Sequence, residues 1–155
     1  MMPMKSRLLV IAIGNEFRCD DGAALVAARR LQQQAGDFEV VEHTGDGAEL
    51  LDLWQNADTV ILLDAVQSGA PAGTIHRFEI EEDFIPSAGF PEGTHTFNLL
   101  QAIDLARVLG LLPPMLVLYG IEGERFQYGT ELSIPVQRAI EKLVTEVMDY
   151  SALYQ

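Results

Sequence analysis

Asp20 and Asp21 stand side by side shortly after an apolar run that ends at Ile13, Asp64 closes a second apolar run from Val60 to Leu63, and His95 opens a helical stretch. Two carboxylates and a neutral imidazole form an oxygen-and-nitrogen donor set suited to a divalent first-row metal, with positions left open for a substrate. Each residue also has a plainer use. Asp20 can accept a backbone N–H as the N-cap of a helix, and Asp21, one position further in, is then either solvated or ligating. Asp64 can satisfy the N–H groups of an adjacent turn, because an acid closing a buried strand must be hydrogen-bonded to offset its desolvation. His95 can pack or cap. Its place at a helix N-terminus disfavours the imidazolium, which leaves a nitrogen lone pair available at neutral pH.

These side chains act together only if the chain brings them together. "RLLVIAI" is a short continuous apolar run with β-branched residues, the pattern of a strand buried on both faces. A helix is expected over 21–34, with Ala24, Leu25, Ala28 and Leu31 on one face and Arg29, Arg30, Gln32 and Gln33 opposite. "DFEVVEH" reads as a second strand, "GAELLDLWQN" as a short helix burying Leu50, Leu51 and Trp54, and "TVILLDA" as a third strand with Asp64 at its last position. The turn-rich "VQSGAPAG" leads into "TIHRFEI", whose period-two alternation marks a half-exposed strand near a sheet edge. A Pro- and Gly-rich loop follows over 81–93. Thr94 is placed to cap a helix over 95–109, with Leu99, Ile103, Ala106 and Leu109 buried and Gly110 ending it. "MLVLYGI" is a fifth strand. Ser133 and Pro135 open a last helix that turns Val136, Ile140, Leu143 and Val147 inward.

Strands alternating with helices predict an α/β fold: a three-layer α/β/α sandwich around a five-stranded, mostly parallel sheet with one antiparallel strand. Ligands of such sheets gather beyond the carboxyl ends of the strands. If the first and third strands are neighbours, the acids and His95 open on one crevice.

Composition narrows the field. The 155 residues, 48% hydrophobic and 21% charged, suit one globular domain spanning 1–155. A net charge of −13, from 23 acids against 10 bases, repels a phosphate backbone, so no nucleic-acid partner is expected. No apolar run reaches the roughly 18 to 20 residues of a membrane span, and "MMPMKSRLLVIAIGN" enters a strand without a small-residue cleavage site. No membrane partner and a cytoplasmic location are the expectation. Cys19 is the one cysteine, which rules out an intramolecular disulfide and fits a reducing compartment.

Other chemistries fit less well. "GNEFRCDDG" lacks the spaced glycines that let phosphate approach backbone N–H groups, and no G-x-S-x-G elbow offers a serine nucleophile. Glu16, Asp20 and Asp21 oppose a thiolate at Cys19. His43 and His76 belong to no motif and read as surface or strand residues.

Four blocks, "GNEFRCDDGAA", "VILLDAVQSGAPAGTIHRFE", "GTHTFNLLQAIDLARVLGLLPP" and "LYGIEGERFQYGTELSIPV", resemble in this order those of the nickel-iron hydrogenase maturation endopeptidases. The resemblance implies an enzyme that removes a C-terminal extension from the hydrogenase large-subunit precursor after nickel insertion. It implies Asp21, Asp64 and His95 as the nickel-binding and catalytic residues, with one aspartate as a candidate general base. The nickel would be the precursor's own, with no cofactor permanently bound, and a monomer is the expected assembly. This chain has Ala24 and Gly123 where the family often has glycine and proline. Two alternatives remain: a non-catalytic nickel-sensing chaperone of the precursor, and a related α/β hydrolase acting on another small peptide or a nucleoside.

Overall fold

A computed structural model describes residues 7–44, 46–81 and 96–153. The chain forms β1 (Leu8–Ile13), a 3-10 turn (Cys19–Gly22), α1 (Ala23–Gln32), β2 (Phe38–His43), α2 (Gly47–Trp54), β3 (Thr59–Val66), β4 (Ile75–Glu79), α3 (Thr96–Leu109), β5 (Met115–Glu122) and α4 (Ile134–Ala152). The strands make one sheet in the order β2-β1-β3-β5-β4, parallel except for the antiparallel pairing of β4 with β5.

Alternation along the buried strands feeds two cores. Leu8, Val10 and Ala12 of β1 join Ile61 and Leu63 of β3 beneath α1 and α4. Leu9, Ile11 and Ile13 join Val60 and Leu62 beneath α2 and α3. Both faces of β1 and β3 are therefore covered, which is why their sequences are continuously apolar. The alanines of α1 let it lie close against α4, whose Val136, Ile140, Leu143 and Val147 are buried as their spacing requires. Asp46 caps α2 by accepting the N–H groups of Ala48 and Glu49.

The structure differs from the sequence reading at several points. The α-helix begins at Ala23, after a tighter turn, so positions 21 and 22 precede it. Leu109 is 55% exposed because the last turn of α3 overhangs the core that Leu99, Ile103 and Ala106 enter. Asp64 does not end β3. Ala65 and Val66 continue the ladder opposite Ile121 and Glu122, and Asp64 pairs with Gly120 inside it. The expected loop over 81–93, apart from Glu81, lies outside the described residues, as do Thr94 and His95.

Candidate active site

The order of the sheet reverses between β1 and β3: chain progression goes outward to β2 on one side and through β3 and β5 on the other. Crevices in α/β sheets open at such a switch point, beyond the carboxyl ends of the strands. Asp21 follows β1 and Asp64 lies on β3, the two strands that flank it. Asp21 is fully buried in the 3-10 turn after β1, and that turn packs against β3, where Asp64 is 1% exposed.

The approach to Asp21 is fixed by the backbone. After Ile13 the chain folds back so that the Asn15 N–H donates to the Asp21 carbonyl at 3.3 Å, and the Asp21 N–H donates to the Arg18 carbonyl at 3.1 Å. Gly14 lies against this turn so closely that a Cβ would stand 2.3 Å from the Asp21 carbonyl oxygen. Only glycine fits there without displacing the turn.

Asp64 shares its face of the sheet with Val60 and Leu62, the face covered by α2 and α3. Leu99, early in α3, enters the same core, and His95 immediately precedes that helix in the chain. His95 itself lies outside the described residues. Among the described residues, no group of three or more His, Cys, Asp or Glu side chains forms a metal site.

Asp20 is not the cap of α1. The residue before α1 is Gly22, and no side chain caps the helix. The Asp20 carboxylate instead accepts the N–H groups of Glu124 at 2.9 Å, Arg125 at 3.0 Å and Ser133 at 2.8 Å, together with the Ser133 hydroxyl at 2.7 Å. The intervening 3-10 turn places its side chain away from α1 and toward the β5–α4 connection. Burial disfavours its ionisation, and the four donors outweigh that and hold its pKa below the ordinary aspartate value.

A further buried acid is one that the sequence motifs do not single out. Glu122 ends β5, 1% exposed, and accepts the Ser68 N–H at 2.8 Å and the Ser68 hydroxyl, with Nε2 of His76 at 3.1 Å. Burial again opposes its charge, and Ser68 and His76 more than compensate, so its pKa is lowered. His76 is thus a strand residue with a defined partner. The signal is present in "LYGIE": an acid directly after an apolar run, as in "VILLD".

Cys19 is buried with its N–H donated to the Gly129 carbonyl at 2.8 Å, and its backbone takes a positive φ of 48°. Its sulfur faces Gly129, where a Cβ would stand 3.0 Å away. On the β1–β2 side of the turn a groove of about 440 Å³ is lined by Asn15, Phe17, Arg29, Glu42 and His43, among others. Arg29 bridges Glu16 at 3.1 Å and Glu42 at 2.9 Å along it.

The fold defines an α/β protein with two buried carboxylates, Asp21 and Asp64, beside the switch point of its sheet. Residues 25–150 match the family model for HycI, hydrogenase maturation protease, and the chain belongs to that family. It is accordingly a protease. The hydrogenase expression/formation protein HupD of Thiocapsa roseopersicina is 27% identical over 95% of this chain and 68% of its own length. Among solved structures, the [NiFe] hydrogenase maturation protease HybD of Thermococcus kodakarensis is similar at TM-score 0.80 and 26% identity, covering 94% of this chain and 99% of that one. The hydrogenase maturating endopeptidase HybD of E. coli gives the same TM-score and identity, covering 93% and 91%. No helix among the described residues is long and apolar enough to cross a membrane.

Proposed function

We propose that this protease removes the C-terminal extension of a nickel-iron hydrogenase large-subunit precursor in the cytoplasm, after nickel has been inserted, and that it acts as a monomer. Asp21, Asp64 and His95 contact the nickel, which belongs to the substrate and marks a loaded precursor. The observation that carries this reading is the placement of two buried carboxylates, Asp21 in the turn that follows β1 and Asp64 on β3, beside the switch point of a maturation-protease fold. An oxygen-rich set with one imidazole suits such a metal.

Peptide hydrolysis then needs a base near the scissile carbonyl. One of the two carboxylates accepts a proton from the attacking water as oxygen bonds to the carbonyl carbon. It returns that proton to the nitrogen as the C–N bond breaks, releasing a carboxylic acid and an amine.

The test is incubation with precursor prepared with and without nickel, followed by electrophoresis of the large subunit. Shortening confined to the nickel-loaded precursor supports the reading. No shortening of the loaded precursor contradicts the proposed cleavage, and shortening of both forms contradicts recognition of nickel.

A further inference from the structure

Resting on the reading of Asp21 as a nickel-contacting residue, we propose that Asp20 and Ser133 are positioning residues that set where Asp21 stands relative to Asp64. The turn that carries Asp21 is four residues long and includes Cys19 at positive φ. A short turn with a strained residue persists only when its surroundings determine it. Contacts that hold it come from the β5–α4 connection as well as from the end of β1. The Asp20 N–H donates to the Arg125 carbonyl at 2.9 Å and the Cys19 N–H to Gly129, while the Asp20 carboxylate gathers its four donors from Glu124, Arg125 and Ser133. The Asp21 backbone bonds, to Arg18 and Asn15, tie the turn to the end of β1, and those of Cys19 and Asp20 tie it to the β5–α4 connection.

The β5–α4 connection is in turn fastened to β3. The Gly123 N–H donates to the Val66 carbonyl at 3.0 Å, two residues beyond Asp64. A continuous path therefore runs from Asp64 along β3 to Val66, across to Gly123, through the N–H groups at 124 and 125 to the Asp20 carboxylate, and so to Asp21.

Ser133 shows what this arrangement gives up. It occupies the N-cap position of α4, where a serine hydroxyl ordinarily accepts an N–H of its own helix, yet no side-chain cap bond is made there. Its hydroxyl donates to Asp20 instead. The serine that could secure α4 secures the turn holding Asp21.

The experiment compares Asp20→Asn, Ser133→Ala and Ser133→Thr in the full chain, with kcat and KM measured on nickel-loaded precursor below each variant's melting temperature. Amide hydrogen exchange over 19–22 is read alongside. A displacement near 1 Å can cost about 100-fold in rate, so Asp20→Asn is expected to lower kcat at least tenfold with KM within about threefold. Ser133→Ala should lower kcat several-fold and Ser133→Thr, which keeps the hydroxyl, should restore it. Exchange over 19–22 should quicken in Asp20→Asn and Ser133→Ala while β1 and β3 stay protected. Unchanged kcat in Ser133→Ala, or equal impairment of the Thr and Ala variants, overturns the proposal even if Asp20→Asn does not fold. If the wild type cleaves nothing, the proposed function has failed on its own, and exchange still decides the positioning role: unchanged protection over 19–22 in Ser133→Ala contradicts it.

Discussion

Gly123 and Asp20 meet with almost no clearance: a Cβ on Gly123 would stand 2.8 Å from the Asp20 Cβ and 2.7 Å from the Phe126 ring. The same glycine donates its N–H to Val66. The contact joins the end of β5 to the turn that follows β1, and it leaves no room for a side chain at position 123.

Gly123→Ala should therefore lower unfolding free energy by about 1–3 kcal/mol, the ordinary cost of overpacking a filled site. Gly123→Pro should cost at least as much, because it also removes the N–H bonded to Val66. Urea denaturation measures both. An alanine variant within about 0.5 kcal/mol of wild type would show that the loop moves aside freely and does not hold Asp20.

Glu122 makes stability depend on pH with a definite sign. Its folded pKa is lowered, so the native state binds its proton less readily than the unfolded chain does. Its contribution is complete above the unfolded value near 4.5 and is lost as pH falls through the lower folded value. Wild type should accordingly lose more stability than Glu122→Gln between about pH 5 and pH 3. Asp20 is present in both proteins, so urea midpoints across that range isolate Glu122. Parallel curves would contradict the assignment of a stabilised carboxylate at the end of β5.

Cys19 is buried with Gly129 against its sulfur and contributes packing to the turn. Cys19→Ala should cost about 1 kcal/mol or less in stability, as for a small buried deletion, and should leave precursor cleavage nearly intact. Thiol-directed reagents should slow the native enzyme little. A folded alanine variant without turnover would instead make the cysteine a nucleophile.

What could be read from the sequence depended on how local the cause was. β1 and β3 announce themselves because a strand covered on both faces has no polar positions, and "RLLVIAI" and "TVILLDA" have almost none. The same logic brought Asp21 and Asp64 to the carboxyl edge of adjacent strands. Asp20 could not be read this way, since its donors lie more than a hundred residues downstream and no local pattern specifies them. A helix cap is the nearest explanation of an acid before a helix, and the unforeseen 3-10 turn defeats it. Leu109 keeps helical spacing with Ala106, but α3 runs past the end of its core. Glu122, Ser68 and His76 meet only because β4 turns back against β5, a pairing the sequence marks as an edge strand without naming its neighbours.

The most direct test of the central claim is the mass of the large subunit after nickel-loaded precursor is mixed with wild type or with Asp21→Asn, the melting temperature of each enzyme being recorded in parallel. A ligand of the substrate's nickel contributes no metal-binding energy to the resting fold, so Asp21→Asn should melt within a few degrees of wild type. Wild type should release the C-terminal extension from the nickel-loaded precursor, and Asp21→Asn should leave it at full mass or process it at least about 100-fold more slowly, the loss expected when a group acting at the reaction centre is removed. An Asp21→Asn variant that is folded and shortens the precursor at the wild-type rate would contradict the account.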